Sequence, residues 1–510
     1  LSIKACLDYA DLTLNDIDYV VFGWDFENKG VGKTNYSVSI QKISEKFFPK
    51  KYFDYIKLPK IRYVEHHLAH AASTFRCSGF DKSTILVLDG QGEYCSISIW
   101  YGIGNKIKKI WSNNIEDSLG YMYSAVERYI GMRNGDEGKL MGLAPYGTIN
   151  KKMVNILNNV KIKLTKKDLI NKKGQQRAVL DQWTDILFSK LEECDKTVTS
   201  FNKYRNTFSK DVIFDKFKKD MARSVQEVLE KNVINLVTKA IKLTKCKNLC
   251  LSGGVSLNCI MNQKIADSNL IENLYVFPAA NDSGCSIGAA LEFFCRKNEN
   301  VKLKKVNSLY FGPSFSDHDI ERELITFKLN YTKCSNIERI CAEYISKGKI
   351  IGWFQGRMEF GPRALGNRSI LADPSRKEMW KIVNLAKERE VWRPFAPSCL
   401  EEFKEQFFET KNNFEFMIVG SKVHETKIKK LLAVTHVDKT SRPHAVNKNI
   451  NKKYYNLINE FYKITGLPMV LNTSFNVKGE PIVCNPRDAI KTFFSSGLDY
   501  LAIGNFLVSK

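Results

Sequence analysis

Short apolar runs alternate with helical periods along most of the chain. In the first hundred residues, apolar runs at 18–24 and 60–64 predict two single strands. Three closely spaced runs follow, at 84–89, 96–101 and 106–111, and their spacing predicts a meander of three strands. This part of the chain therefore predicts a sheet rather than a helical bundle.

Strand–turn–helix units dominate the next two hundred residues. A long helical period covers 212–243, a strand is predicted over 248–252, and a strand over 273–278 leads to a helix that begins near Ser283. The Lys- and Asn-rich stretch at 148–210 lacks this pattern and predicts a polar insertion. The alternation of strands and helices predicts an α/β domain that ends near residue 300.

A second patterned region begins after the polar residues 301–305. The elements predicted in it are a helix at 337–347, a strand at 349–355, a helix at 375–387, strands near Met417 and Leu431, and helix–strand pairs over 454–471 and 486–508. The chain thus predicts two α/β domains, residues 1–305 and 308–510.

Composition and charge exclude several classes of protein. An apolar fraction of 44% excludes a disordered or fibrous chain, and no apolar run approaches the roughly 18 residues of a membrane span. Thirteen scattered cysteines without C-x-x-C spacing indicate a reduced, cytoplasmic protein without a zinc ribbon. The net charge of +23 comes from lysines spread along the chain, which favours a solvated surface over a specific nucleic-acid surface. A phosphate-bearing substrate fits the same charge.

Three of the seven histidines stand in the segment H-H-L-A-H at residues 66–70. If a helix begins here, His66 and His70 share one face at i,i+4 spacing, so both imidazoles can bind one metal ion. The same spacing also occurs on helices without a metal. Asp282, at a predicted strand-to-helix junction, is the candidate third ligand, although a carboxylate at this position is equally typical of a helix N-cap.

Glycine-rich turns supply further candidates in the first domain. Asp89 opens the sequence D-G-Q-G-E between two predicted strands, where the glycines allow close approach of a ligand. Gly253 and Gly254 lie between a strand and a helix, so free N–H groups at this turn would suit an anion. Asp-Gly is also a plain turn signal. The glycine-rich phrase at 135–147 by itself names no ligand.

Basic and hydroxyl side chains cluster in the second domain. The block G-R-M-E-F-G-P-R-A-L-G-N-R-S contains Arg357, Arg363 and Arg368, and arginine forks beside exposed backbone amides suit a phosphate or an acyl phosphate. Singly, a K-E-R run is typical of a solvated helix face. Together with the block, the later candidates suffice for a triphosphate and a second anion; they are Lys387, Arg389, Arg393, Arg442, Ser474 and Asn476.

Seven phrases, in this order, resemble the NodU-type O-carbamoyltransferase family over essentially the whole chain. They are H-H-L-A-H-A, D-G-Q-G-E, G-x-L-M-G-L-A-P-Y-G, L-S-G-G-V-x-L-N, G-R-M-E-F-G-P-R-A-L-G-N-R-S-I-L-A, R-P-F-A-P and L-N-T-S-F-N. The resemblance implies an actin-like ATPase-type N-terminal domain, related to the enzyme that finishes threonylcarbamoyl-tRNA, and a YrdC-like α/β domain after it. It also implies that the family's first strand–turn–strand hairpin is missing from this sequence.

The resemblance further implies a reaction and its residues. The second domain would bind ATP, with Mg²⁺, and carbamoyl phosphate, and would form carbamoyl adenylate and pyrophosphate. The residues matched to the reacting phosphates are Lys387, Arg393, Arg442 and Ser474. Of the residues predicted to bind substrate or nucleotide, Arg389 and Asn476 match the YrdC-type signature, and Arg357, Arg363, Arg368, Gly253, Gly254 and Asp89 are the candidates named above on their own chemistry. The first domain would hold Fe(II) on His66, His70 and Asp282, with Asp89 near the metal or its water, and would transfer the carbamoyl group to a hydroxyl of a sugar or natural product.

Two other functions stay open at this level. Both domain types also serve tRNA threonylcarbamoylation, and a non-catalytic nucleotide-binding fragment would carry the same motifs. A hydrogenase-maturation carbamoyltransferase would bring C-x-x-C zinc fingers, which this sequence lacks. The expected partner is a small-molecule acceptor, without a specific nucleic acid or a membrane span. The sequence does not indicate an oligomeric state.

Overall fold

The computed structural model describes residues 2–25, 46–163, 175–192, 215–298, 301, 303–409 and 414–510. The chain divides into two compact units, Leu1–Val306 and Asn307–Lys510. Helices and strands are mixed in both units, so the expected α/β class is confirmed. Within the described ranges, no helix combines the length and the apolar character that a bilayer span requires.

The first unit alternates helices and strands along its length. Its described helices are α1 (Ser2–Ala10), α2 (His66–Ser78), α3 (Leu119–Tyr129), α4 (Glu137–Leu143), α5 (Lys151–Asn159), α6 (Gln175–Glu192), α7 (Lys216–Thr244), α8 (Cys259–Ala266) and α9 (Cys285–Lys297). Its described strands are β1 (Tyr19–Phe22), β2 (Lys60–Tyr63), β3 (Lys82–Leu88), β4 (Ile97–Ile103), β5 (Lys106–Ser112), β6 (Asn248–Ser252) and β7 (Asn273–Val276).

Two sheets organise the first unit. Strands β1 and β2 form a parallel pair, and a five-stranded sheet has the order β5-β4-β3-β6-β7. Strand β4 is antiparallel to both its neighbours, which confirms the predicted meander, whereas β3, β6 and β7 are parallel. The sheet therefore has one antiparallel strand, β4, beside its central strand β3.

Helix α2 forms the centre of the first unit, and all its residues are buried. It packs against α9, where Gly288 permits close contact because a Cβ there would lie 1.9 Å from the carbonyl oxygen of Ala69. Further along the two helices, Arg76 Nη2 and Glu292 Oε2 form a buried ion pair of 2.5 Å. This packing brings the first turns of α2 and α9 together.

The polar insertion predicted at 148–210 contains helices α5 and α6, whereas residues 164–174 and 193–210 lie outside the described residues. In α5, Met153 and Leu157 are buried at i,i+4 spacing among lysines and asparagines. In α6, Val179, Trp183 and Leu187 are buried at the same spacing, so each helix packs through one apolar face. The helix predicted at 212–243 is α7, and its first three predicted residues also lie outside the described residues.

The second unit has its own helices and strands. The described helices are α10 (Asp317–Thr326), α11 (Ile337–Ser346), α12 (Met379–Ala386), α13 (Lys404–Phe407), α14 (Lys452–Thr465) and α15 (Pro486–Phe494). The described strands are β8 (Tyr331–Lys333), β9 (Ile351–Phe354), β10 (Arg368–Ala372), β11 (Ala396–Leu400), β12 (Phe408–Glu409), β13 (Ser421–Val423), β14 (Thr440–Ser441), β15 (His444–Val446), β16 (Met469–Ser474), β17 (Tyr500–Ile503) and β18 (Phe506–Ser509).

A mixed eight-stranded sheet of order β15-β11-β16-β10-β9-β17-β18-β8 forms the core of the second unit, beside a small sheet of order β12-β13-β14. The strands predicted near Met417 and Leu431 are wrong. Met417 has a left-handed φ of +53°, which is incompatible with a strand. Leu431 follows a one-turn helix at Glu425–Lys430 and is fully buried, so its apolar character reflects packing of a loop rather than strand pairing.

Candidate functional site

The first turn of α2 holds two histidines that face two carboxylates. The Nε2 atoms of His66 and His70 lie 3.2 Å apart, and both side chains are buried. Asp89 Oδ2 is 3.3 Å from His66 Nε2 and 3.8 Å from His70 Nε2. Asp282 Oδ1 is 3.6 and 3.7 Å from the same two nitrogens. The structure therefore brings His66, His70 and Asp282 together and adds Asp89.

The other ring nitrogens fix the orientation of both imidazoles. His66 Nδ1 lies 2.9 Å from the carbonyl oxygen of Gly23, which can only accept, so this nitrogen carries a hydrogen and Nε2 is the nitrogen that faces the carboxylates. His70 Nδ1 lies 3.2 Å from the hydroxyl of Ser252. Histidine ligands of metals are oriented in this way by a partner at the second nitrogen.

The negatively charged groups around the two imidazoles favour a positive charge on them. Burial opposes protonation of His66, but its hydrogen bonds to Asp89 and Cys285 outweigh this and raise its pKa to about 12. Burial is likewise outweighed at His70, whose pKa rises to about 9 beside Cys285 and Asp282. Two buried imidazoles, the buried carboxylate of Asp89 and the exposed carboxylate of Asp282 converge here, a donor set that fits a divalent cation of the transition series.

Asp89 also connects two loops of the site. Its Oδ1 accepts a hydrogen bond of 2.9 Å from Gly254 N, and Gly253 N donates to the carbonyl of Ala280 at 2.8 Å. Gly253 has a φ of +91°, and a Cβ there would lie 2.1 Å from Leu88 O, so only glycine fits. The prediction of free amides at Gly253 and Gly254 is therefore wrong, because both N–H groups hold the loops that carry Asp89 and Asp282.

Glu93 fixes the start of α2 and was missed from the sequence. Its Oε1 accepts from His66 N at 2.9 Å and from Asp25 N at 2.8 Å. A carboxylate at a helix N-terminus is favoured by the helix dipole. The sequence signal for Glu93 was its position as the last residue of D-G-Q-G-E.

His67, the third histidine of the segment, points away from the site. Its Nδ1 lies 2.7 Å from Ser98 Oγ, and burial lowers its pKa to about 3, so the ring stays neutral.

Cys285, the first residue of α9, is a second group that sequence reasoning missed. Its thiol is buried, and Sγ lies 3.7 Å from His66 Nδ1. Burial opposes ionisation, but the neighbouring His70 and His66 lower the pKa of the thiol. Its position three residues after Asp282 at the start of a helix was the signal that could have pointed to it.

In the second unit, Lys387 contacts two later candidates, Ser474 and Asn476. Lys387 is buried, and its Nζ donates to the carbonyl of Ser474 and, at 2.7 Å, to that of Asn476. Ser474 Oγ donates to Asn476 Oδ1 at 2.6 Å. Burial lowers the pKa of Lys387, and the positive charges of Arg389 and Arg393 lower it further.

Four cations gather around this point. Burial and the neighbouring Arg393 lower the pKa of Arg389, with a smaller contribution from Arg442. Arg393 Nη1 lies 3.8 Å from Glu390, and Arg442 Nε is buried without a hydrogen-bond partner among the described residues. Of the four cations only Lys387 is fully buried. Neighbouring positive charges that lower each other's pKa indicate a site for an anion.

The arginines of the 356–369 block have different roles. Arg368 is fully buried, packs 3.7 Å from the ring centroid of Phe354, and donates to the carbonyl of Gln355 at 2.6 Å. Its other hydrogen bonds within the described residues also go to backbone carbonyls. Arg357 is partly exposed and donates to Gly312 O at 3.0 Å, and Arg363 is half-buried. Arg368 therefore stabilises the loop through hydrogen bonds to its backbone carbonyls.

Glu359 holds the same loop and was also missed. One carboxylate oxygen, Oε1, accepts from the backbone N–H groups of Leu365 at 2.7 Å, Asn367 at 2.8 Å and Arg368 at 3.3 Å. The carboxylate is buried. Glu359, four residues before Arg363, therefore holds the backbone of the loop that follows it.

Among solved structures, the chain is similar to HypF from T. kodakarensis at a TM-score of 0.26, with 15% identity over 47% of this chain and 37% of that one. It is also similar to (R)-2-hydroxyglutaryl-CoA dehydratase component A from Acidaminococcus fermentans, at a TM-score of 0.28 with 12% identity, over 57% and 81% of the two chains. Scores this low do not support a conclusion about fold or function.

Sequence comparison gives a clear result. The family model of the carbamoyltransferase N-terminus matches residues 2–291, and that of the C-terminus matches residues 342–510. The nodulation protein NolNO of Sinorhizobium fredii is 36% identical over 100% of this chain and 74% of its own length. The nodulation protein NolO of Bradyrhizobium diazoefficiens is 37% identical over 88% and 79% of the two chains. The chain belongs to the carbamoyltransferase family and is a carbamoyltransferase.

Proposed function

We propose that this carbamoyltransferase is ATP-dependent and acts in two half-reactions on a hydroxyl acceptor. The second unit forms carbamoyl adenylate from ATP and carbamoyl phosphate, and the first unit transfers the carbamoyl group. The observation that carries the proposal is the cluster of the buried Lys387 with three partly buried arginines, Arg389, Arg393 and Arg442, which suits reacting anions.

The adenylation step brings together two negatively charged reactants. Water releases phosphate from carbamoyl phosphate, an oxygen of the resulting carbamate attacks the α-phosphorus of ATP, and pyrophosphate leaves. Such an attack requires neutralised charges and aligned reactants. Arg393 and Arg442 supply positive charge, and Ser474 supplies a hydroxyl beside them. Lys387 holds the end of β16 through the carbonyls of Ser474 and Asn476, and Mg²⁺ would accompany ATP.

The loop of the 356–369 block supports the same site. Arg357 and Arg363 are the arginines of this block that we assign to substrate binding, because each retains some exposure. We assign Arg368 to the loop itself, because it is fully buried. Arg389 and Asn476 complete the proposed nucleotide site.

The transfer step belongs to the first unit. The acceptor hydroxyl attacks the carbamoyl carbon, its proton is lost, and AMP leaves. A divalent metal ion on His66, His70, Asp89 and Asp282, Fe(II) by resemblance to the family, would supply Lewis-acid chemistry there. Asp89 joins the strand end of β3 to Gly254, so it keeps the histidines and the glycine turn in one arrangement.

The acceptor that we propose is a hydroxyl of a sugar or of another natural product. The match to carbamoyltransferase models favours carbamoyl transfer over tRNA threonylcarbamoylation and over a non-catalytic binding role. The relatives named above are nodulation proteins, which is compatible with a small-molecule acceptor.

The test is product analysis with ATP and carbamoyl phosphate. We expect carbamoyl adenylate and pyrophosphate to form only when both substrates are present, and Ser474→Ala to abolish their formation. Ser496→Ala, at the C-terminal side of α15, serves as the matched control and should react like the unaltered protein. Pyrophosphate formation without carbamoyl phosphate, or at a normal rate in Ser474→Ala, would contradict the proposal.

A further inference from the structure

Helix α9 and the turn before it present two different donors to the histidine pair. Asp282 contributes a carboxylate whose side chain is 77% exposed, and its Oδ1 lies 3.6 Å from His66 Nε2. Cys285, three residues later, contributes a thiol from the buried side, with Sγ 3.7 Å from His66 Nδ1. The start of α9 thus offers a hard oxygen ligand, Asp282, on its exposed side and a soft sulfur ligand, Cys285, on its buried side.

These donors form two overlapping sets. One ligand atom from each of His66, His70 and Cys285 lies within 4.8 Å of the others. The same limit holds for His66, His70, Asp89 and Asp282. Both sets share His66 and His70, so a thiol and two carboxylates surround the same pair of imidazoles.

The end of β1 makes room for the thiol. A Cβ at Gly23 would lie 2.9 Å from Cys285 Cβ and 3.1 Å from Ala69 Cβ, so a larger residue would displace the cysteine. The carbonyl of Gly23 also accepts from His66 Nδ1. Cys285 is in the reduced, unpaired form. It therefore has a defined place beside the histidines rather than a place in a disulfide.

The softness of the donor decides which metal each set prefers. Thiolate ligands select Zn²⁺ and similar soft ions, carboxylates suit Mn²⁺ and Mg²⁺, and imidazole accepts most transition metals. We propose that Cys285 is an additional ligand of the metal centre and gives it a thiolate binding mode beside the carboxylate mode. On binding, the thiol loses its proton to solvent and sulfur bonds to the metal. This inference rests on the metal centre proposed above.

Cobalt(II) is the probe, because it reports both the number of bound ions and the presence of sulfur. The full-length protein, stripped with a chelator, is titrated with Co²⁺ under reducing conditions, and bound cobalt is counted by elemental analysis. We expect one ion per chain and a thiolate-to-cobalt charge-transfer band in the near ultraviolet. Cys285→Ser and Cys285→Ala should bind one ion without this band. Cys295→Ser, on the same helix and also buried, should retain it.

A competition experiment gives a second readout. In Cys285→Ser, the preference for Zn²⁺ over Mn²⁺ should fall about tenfold or more, while in Cys295→Ser it should stay unchanged. One bound cobalt without the band in the unaltered protein would overturn the role of Cys285 and leave the metal centre intact. A band that persists in both Cys285 variants would overturn it as well. Failure to bind cobalt at all would overturn the metal centre and, with it, this inference.

Discussion

The Nε2 atoms of His66 and His70 lie 3.2 Å apart, with the opposite nitrogens held by Gly23 and Ser252. At this distance two nitrogen lone pairs would repel each other, so either a hydrogen or a metal ion has to lie between them. The carboxylates of Asp89 and Asp282 add negative charge at the same point. The two histidines and two carboxylates therefore suit a cation, and the contacts of Gly23 and Ser252 orient the histidines toward it.

The first prediction concerns the hydroxyl behind His70. Ser252→Ala removes the partner of His70 Nδ1, so we expect metal affinity to fall about 10- to 100-fold, as when other outer-shell partners of metal ligands are lost. Ser98→Ala is the matched control, because Ser98 holds His67, which points away from the centre. Calorimetric titration with Co²⁺ measures both. Equal affinities in the two variants would show that Ser252 does not orient the ligand.

The second prediction concerns the cation cluster. Arg442→Ala removes a guanidinium whose Nε has no hydrogen-bond partner among the described residues. If it binds the reacting anions, kcat/KM for carbamoyl-phosphate-dependent AMP formation should fall about 10- to 100-fold, since a hydrogen bond from a charged group contributes about 1.5–3 kcal/mol. Arg487→Ala, which loses an exposed pair with Glu323 and a contact with the ring of Phe327, should change little. An unchanged kcat/KM in Arg442→Ala would remove it from the site.

The third prediction concerns the loop that carries Arg363. Glu359→Ala leaves three buried N–H groups without their acceptor, and each such group costs about 1–3 kcal/mol. We expect a thermal midpoint several degrees lower and a higher KM for carbamoyl phosphate. Glu343→Ala removes an exposed partner of Arg339 and should alter neither. A normal KM in a folded Glu359→Ala protein would separate this loop from substrate binding.

The fourth prediction compares two arginines that share the carboxylate of Glu292. Arg76→Ala breaks a buried pair and should lower the free energy of unfolding of the first unit by about 3–5 kcal/mol, because the remaining charge is left buried. Arg296 is 58% exposed, so Arg296→Ala should cost less than about 1 kcal/mol. Denaturant unfolding followed in both variants measures the difference. Similar losses would mean that the contact of α2 with α9 does not depend on the buried pair.

Sequence patterns predicted most of the regular elements, because burial imposes a clear period on them. The strands of the meander and those near the glycine turns have apolar runs, and the sequence predicted them in the order in which the structure has them. The strand predicted at Leu431 was wrong because a single buried leucine in a loop has the same local pattern as part of a strand. The helices inside the lysine-rich insertion were missed because the surrounding lysines and asparagines obscured the apolar positions of their buried faces.

The candidate site was predictable where spacing along a helix determines proximity. His66 and His70 are four residues apart, so a helix alone places them together. Cys285, Glu93 and Glu359 were missed because their roles depend on contacts with distant segments that no local pattern reveals. Arg368 has the same residue type as Arg363, and only the three-dimensional structure shows that it is buried.

The division of labour between the two units is tested most directly by exchange of labelled pyrophosphate into ATP, without an acceptor. We expect exchange that requires carbamoyl phosphate in the unaltered protein and in His70→Ala, and none in Ser474→Ala. His318→Ala, an exposed histidine in the second unit, controls for loss of an imidazole. Carbamoyl transfer to an acceptor should be lost in His70→Ala. Exchange that is absent from the folded protein, or that does not need carbamoyl phosphate, would contradict the proposed two-step reaction.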